Sequence, residues 1–366
     1  MVIRCCLFLS CTSVSIVSGA LLAHDANDPT PLSRGKTSEL APRFNSFALR
    51  EPTSESTRLV GIQDQMSVLA SLLFSLRNLS PRYWRQRRAV PHMKSPRKVV
   101  VTGAGGQTGQ LAFRKMLAQP DIFEPIGIVR SEESKKALIE NGIPVDKVVV
   151  ADVTDESAIS AAIKDCEAVI IATSAKPAPS GAKDPVTGRP VFNFPNGQPE
   201  QVDWIGQKHQ IDAARACGPQ THVVICSSMG GTDPSNMLNG IGREELPDGS
   251  VKGGNILLWK RKAEKYLIDS GLPYTIVHPG GLIDEPGGKR EIVIGVDDAR
   301  EEGERSIPRE DVAEVLVQSL LHPSYQKRSF DIRSKLEGEG TVTTDFKALL
   351  EKLGGKNCDY ELGEIA

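Results

Sequence analysis

The chain is 366 residues long, room for one large domain or two ordinary ones. Its 44 Lys/Arg against 46 Asp/Glu leave a net charge of −2. That argues against a uniformly basic nucleic-acid binder, because neutralising phosphates needs a cationic surplus. A composition 39% hydrophobic and 25% charged is globular rather than wholly disordered. The longest apolar run, 7–23, is 17 residues with four serines, short of the roughly 20 needed to span a bilayer. Seven cysteines, none spaced C-x-x-C, give no zinc-cluster or disulfide pattern, so no metal is expected.

Charge marks a boundary. Residues 1–95 hold 12 Lys/Arg against 6 Asp/Glu, the remainder 32 against 40, and 82–98 carries seven basic residues and no acid. The first 95 residues lack strand-helix alternation and read as a targeting leader with a disordered spacer, leaving 96–366 as the folded domain. Arg4, the apolar stretch 7–17 and Ser18-Gly19-Ala20 resemble a signal peptide with a small-residue cleavage site. The Ser/Arg-rich stretch that follows resembles the bipartite leader of proteins sent to complex plastids, which makes a plastid the expected address. The alternatives are a secretory protein, or a cytoplasmic one if translation starts at Met93.

The folded part opens with an apolar, β-branched strand over 98–102, as a buried parallel strand should. A turn follows with glycines at 103, 106 and 109, and then a helix over 110–119. Gly103 would permit the tight turn, Gly106 a close backbone approach to a pyrophosphate, and Gly109 close helix–strand packing. Together with Gln107 and Thr108 they put a helix N-terminus under the phosphates of a dinucleotide. The strand-turn-helix context is what makes the glycine spacing informative.

The alternation continues: strands over 125–130, 147–151, 167–173, 222–227, 274–278 and 329–333, and helices over 132–141, 155–165, 202–217, 254–270, 309–321 and 344–353. This predicts an α/β fold, a doubly wound parallel sheet of the Rossmann type, in one domain with long loops at the carboxyl edge. Strand two ends in Arg130 and Ser131 where an NAD-selective site places an acid, and a guanidinium suits the 2′-phosphate. NADP is therefore favoured over NAD. Asp152 and Val153, after strand three, are placed for the adenine edge. Asp152 would otherwise cap the next helix.

The glycine turn with Arg130, Cys-Ser-Ser-Met-Gly-Gly (226–231), Trp-Lys-Arg-Lys-Ala-Glu (259–264) and Tyr-Thr-Ile-Val-His-Pro-Gly-Gly-Leu (274–282) resembles the atypical short-chain dehydrogenase/reductases. The nearest group is the NmrA-like, plant-type NAD(P)-binding proteins, which Gln-Val-Asp-Trp-Ile-Gly-Gln-Lys (201–208) also fits. The resemblance covers about 98–353. It implies cofactor contacts at Thr173, Ser174, Lys260 and Pro279, and catalytic roles for Lys260 and for Ser227 or Ser228. The family's tyrosine, four residues before the lysine, falls on Ile256, which can neither donate nor accept a proton. His278 stands where relatives carry Arg, and is a candidate replacement acid/base. Tyr266 has no lysine partner.

Three loops, 176–200, 230–253 and 279–289, leave the carboxyl ends of strands, where ligands of open α/β sheets bind. They predict a cleft for a small-molecule substrate or a protein partner, lined by Thr173, Ser174, Ser227 and Lys260 and covered by Phe192, Phe194 and Trp204. Three readings follow: an NADP-dependent oxidoreductase or isomerase of atypical mechanism, a non-catalytic NADP(H) sensor or assembly protein, and a nucleic-acid binder. The acidic folded domain opposes the third.

Overall fold

The computed structural model describes residues 95–183, 188, 190–299 and 306–364. Apart from Ser95, the leader read over 1–95 lies outside the described residues. Strands β1 (Arg97–Thr102), β2 (Phe123–Val129), β3 (Val148–Val150), β4 (Ala168–Ile171), β7 (His222–Cys226), β10 (Tyr274–Pro279), β12 (Ile292–Gly295) and β14 (Arg328–Ser334) form one sheet. Its order is β3-β2-β1-β4-β7-β10-β14-β12. Every neighbour runs parallel except β12, which pairs antiparallel with β14. The expected parallel sheet therefore carries one antiparallel edge strand. β12 returns from the loop after β10, a connection too short in periodic residues to be read as a strand.

The apolar strand runs are explained by two-sided burial. Val99 and Val101 face one core cluster and Val100 the other, and Ile170, Val224 and Val277 alternate in the same way with Val169, Ile171, Val223, Ile225 and Ile276. Helices α1 (Gln107–Leu117) and α6 (Arg309–Leu321) cover the first face. Helices α3 (Glu156–Ala162), α4 (Gln207–Cys217) and α5 (Ile256–Asp269) cover the second. α2 (Glu132–Glu140) follows β2, and α7 (Phe346–Glu351) closes the first face with Leu349 and Leu350. None of the described helices is long and apolar enough to cross a membrane.

The long loops contain structure of their own. β5 (Ala178–Lys183) and β6 (Pro190–Asn193) make one antiparallel hairpin, and β8 (Glu244–Glu245) and β9 (Val251–Lys252) another. β11 (Gly281–Ile283) pairs parallel with β13 (Ser306–Pro308). The helix expected over 202–217 is divided: Glu200–Gly206 winds as a wide π turn before α4 begins at Gln207. Such turns are rare and tend to sit at functional sites. This one carries Asp203.

Candidate functional site

Strand register aligns the carboxyl ends. Thr102 pairs with Ile128 and Ile171, Ile171 with Ile225, and Ile225 with Ile276. Gly103, Arg130, Thr173 and Ser227 therefore leave the sheet along one edge, level with His278 near the end of β10. The strand order reverses between β1 and β4, the switch point at which open α/β sheets bind ligands.

The glycine turn sits at that point. Gly103 has φ +69°, and a Cβ on it would lie 2.5 Å from the Ala172 carbonyl oxygen of the neighbouring strand end. A Cβ on Gly109 would overlap the Gly103 carbonyl oxygen. Gly106 is exposed and caps α1 with no side-chain hydrogen bond, so the first-turn amides, which have no intrahelical acceptor, are left open to an anion. That cradle fits the pyrophosphate of a dinucleotide. Gln107 is exposed and its Nε2 donates to Asp284 Oδ2 at 3.4 Å, while Arg309 Nη1 holds the other Asp284 oxygen at 2.7 Å. Thr108 is half-buried in the first turn.

Arg130 is exposed, and its Nη1 donates to Asn196 O at 2.9 Å, which uses one of its five N–H donors. Ser131 caps α2 by accepting from Ser134 N at 3.3 Å. Asp152 Oδ1 accepts from the Thr154 amide at 2.9 Å and its hydroxyl at 2.7 Å, closing a turn. The cap of α3 is instead Asp155, which accepts from Ala158 N at 3.0 Å. Val153 is buried, with its carbonyl 3.0 Å from His209 Nδ1. Thr173 Oγ1 accepts from Gln210 Nε2 at 3.2 Å, and exposed Ser174 donates to Ala175 O at 3.3 Å.

Lys260, on α5, is buried with Nζ 2.7 Å from Asp203 Oδ1, and Asp203 is fully buried. The other Asp203 oxygen accepts from Ala175 N at 2.9 Å, tying the loop after β4 to the π turn. Four residues earlier, Ile256 is 9% exposed and packs in the second core cluster, so the family's tyrosine position holds a core side chain. Tyr266 donates to Asp212 at 2.7 Å and packs edge-on against Trp204, a structural contact on the outer side of α4 and α5.

The two serines diverge. Ser227 is buried and its hydroxyl donates to Glu264 Oε1. Ser228, half-buried, lines a small cavity together with Lys260, Glu264, His278, Asp298, Asp331 and Cys358. His278 is buried at the end of β10. Its Nε2 lies 3.1 Å from Glu264 Oε2 and its Nδ1 3.2 Å from Asp331 Oδ1. Burial alone would lower His278 and raise Glu264. The facing charges and hydrogen bonds reverse both: His278 is held well above the ordinary histidine range, and Glu264 down to about 2. With both ring nitrogens engaged, His278 is not presented to a substrate as a free acid/base.

The chain after α7 supplies residues that sequence reasoning missed. Tyr360 Oη donates to Glu264 Oε2 at 3.0 Å, and Arg261 stacks on the Tyr360 ring at 4.7 Å. Cys358 Sγ lies 3.5 Å from His278 Nδ1. A single tyrosine and a single cysteine outside any periodic segment carry no local signal. Asp203 lies in the segment 201–208, but its partner Lys260, 57 residues away, leaves no local signal there.

Of the loop aromatics, Phe192 is exposed, whereas Phe194 is buried beneath Gly242, joining the loop after β4 to the loop after β7. Trp204 is half-buried between Tyr266 and Lys262. Phe194 thus packs between the loops, and Trp204 packs the π turn onto α5.

A model of the family described as NAD(P)H-binding matches residues 103–323. The chain is 47% identical to a chloroplastic protein of Arabidopsis thaliana, over 71% of this chain and 77% of that protein. It is 42% identical to sanguinarine reductase of Eschscholzia californica, over 70% of this chain and 95% of that protein. Among solved structures, a putative NAD-dependent epimerase/dehydratase from Bacillus halodurans matches with a TM-score of 0.50 and 24% identity, over 70% of this chain and 100% of that one. That likeness bears on the fold alone.

Proposed function

The chain belongs to the NAD(P)H-binding family, and from that premise we propose that it is an NADP(H)-dependent reductase of a small molecule that works without the usual catalytic tyrosine. The observation that carries the reading is the buried Lys260, fixed by Asp203 at 2.7 Å and opening onto the same cavity as Ser228. The relative named sanguinarine reductase, aligned over 95% of its length, supports reduction as the reaction class.

In this reading Gly103, Gly106, Gln107, Thr108 and Gly109 hold the pyrophosphate. Arg130 takes the 2′-phosphate, in preference to the ribose hydroxyl of NAD. Asp152 and Val153 border the adenine, while Thr173, Ser174 and Pro279 flank the path toward the nicotinamide, whose ribose Lys260 contacts. NADPH, when bound, supplies the hydride. Asp203 orients Lys260 Nζ, and Ser227 and His278 orient Glu264 behind it. Ile256 has no proton to give and His278 is occupied on both sides. The proton therefore comes from Lys260 Nζ through a water beside Ser228, for which the cavity of about 20 Å³ has room.

The test is NADPH consumption by the full chain against a metabolite library that includes sanguinarine. Turnover that is lost in Lys260→Ala supports the reading. Tight NADPH binding without consumption across the library favours the second reading, an NADP(H)-occupied sensor or assembly protein. The observation on that side is Ile256, packed in the core where the family's acid should stand. We place the protein in a plastid, on the leader's composition and the chloroplastic relative. Imaging a reporter fused to residues 1–95 checks the address.

A further inference from the structure

His278 on β10, Asp331 on β14 and Cys358 on the C-terminal segment converge from positions 53 and 27 residues apart, and all three are buried. Their nearest atoms form a compact triangle. His278 Nδ1 to Asp331 Oδ1 is 3.2 Å, Nδ1 to Cys358 Sγ is 3.5 Å, and Oδ1 to Sγ is 3.6 Å. A tetrahedral zinc ion with Zn–N and Zn–O near 2.0 Å and Zn–S near 2.3 Å has ligand–ligand edges of about 3.3–3.6 Å. The triangle has the dimensions of one face of that tetrahedron.

The surroundings are those that fix metal ligands. His278 turns its other nitrogen to Glu264 at 3.1 Å, the carboxylate–histidine arrangement that sets ring orientation and tautomer beside a metal. Glu264 is in turn held by Ser227 and Tyr360. The second Asp331 oxygen accepts from Asp298 N at 2.7 Å, which leaves Oδ1 for the ion. The Cys358 amide is anchored on Ser329 O and Oγ, both at 3.1 Å. Charge favours a cation as well. Lys260 is paired with Asp203, and Arg261 is committed to the Asp359 carbonyl and the Tyr360 ring. His278 faces Glu264, and Asp297, Asp298 and Asp331 remain along the cavity. The half-buried rim at Ser228, Thr232 and Asp297 gives an ion a way in.

We propose that His278, Asp331 and Cys358 bind a zinc-type divalent cation, with its fourth position open to the cavity. Binding displaces two protons, from His278 Nδ1 and the Cys358 thiol, so the thiolate becomes the sulfur ligand. The site borders the cavity used in the reductase reading, but its test is independent of that reading, since metal content and spectra are read rather than turnover.

The experiment is a Co²⁺ titration of the chelator-stripped full chain, followed by zinc back-titration and elemental analysis of protein purified without chelator. The expected result is one equivalent of metal, with a thiolate-to-cobalt charge-transfer band and the intense visible bands of tetrahedral Co²⁺, bleached by zinc. Cys358→Ser should abolish the charge-transfer band, while Cys166→Ser keeps it. Glu264→Gln should retain the band but weaken affinity on the order of 10–100-fold. A wild-type titration without a charge-transfer band, or a band that persists in Cys358→Ser, overturns the proposal. The wild-type arm needs no variant to fold.

Discussion

Lys260 Nζ lies 2.7 Å from Asp203 Oδ1, with the lysine side chain 8% exposed and the aspartate wholly buried. The pair joins α5 to the π turn ahead of α4. Breaking a buried pair leaves one charge without compensation, at a cost of about 3–5 kcal/mol. Asp203→Ala and Lys260→Ala should each destabilise the chain in that range in urea titrations. The double variant Asp203→Ala, Lys260→Ala should cost clearly less than the sum. Additive losses would mean that the two groups do not interact.

Lys260 and Ser227 should separate in cofactor binding. Ser227 is buried and its hydroxyl is engaged by Glu264, so Ser227→Ala removes a hydrogen bond to a carboxylate, worth about 1.5–3 kcal/mol of stability. It should leave NADPH affinity nearly intact. Lys260→Ala should weaken NADPH binding several-fold or more. Fluorescence titration of bound NADPH reads both, and unchanged affinity in Lys260→Ala would show that this lysine does not meet the cofactor.

His222 gives the fold an acid sensitivity far from the cleft. It is buried at the start of β7, its Nε2 lies 2.9 Å from Thr275 Oγ1, and that hydroxyl donates to Tyr325 O at 2.8 Å. With that hydroxyl's proton committed to Tyr325, His222 Nε2 carries a proton and donates to Thr275 Oγ1. Burial, with the Arg97 charge adding to it, lowers its pKa to about 3. The unfolded chain takes up the ring's second proton near pH 6.5 and the folded chain only near 3, so this contribution to stability is lost as pH falls through that window. At pH 4.5 the loss is about 2–3 kcal/mol relative to pH 7. Denaturant titrations of wild type and His222→Gln at both values check it. The variant should lose less stability than wild type between them, and equal losses would contradict the assignment.

Legibility followed sequence distance. α6 falls on the residues its periodicity predicts, 309–321, and β1 differs from its expected start by one residue, because two-sided burial writes itself as a continuous apolar run. The glycine turn was legible for the same local reason: Gly103 and Gly109 answer to backbone oxygens within a few residues or on the adjoining strand. The pairing of β5 with β6 is not legible in the sequence because prolines and glycines interrupt any alternation. The role expected of His278 changed for another reason. Its neighbours Glu264, Asp331 and Cys358 come from three separate elements, and nothing in the segment 274–282 announces that both ring nitrogens are occupied.

The central claim is that the carboxyl edge of this sheet holds NADP(H), with Arg130 on the 2′-phosphate. Its most direct test is equilibrium titration of the full chain, wild type and Arg130→Ala, with NADPH and NADH. Losing one charge-assisted phosphate contact costs about 1.5–3 kcal/mol, or roughly tenfold or more in affinity. Wild type should bind NADPH at least about tenfold more tightly than NADH, and Arg130→Ala should lose that margin through NADPH alone. Equal wild-type affinities for the two cofactors, or an NADPH affinity untouched by the substitution, would contradict it.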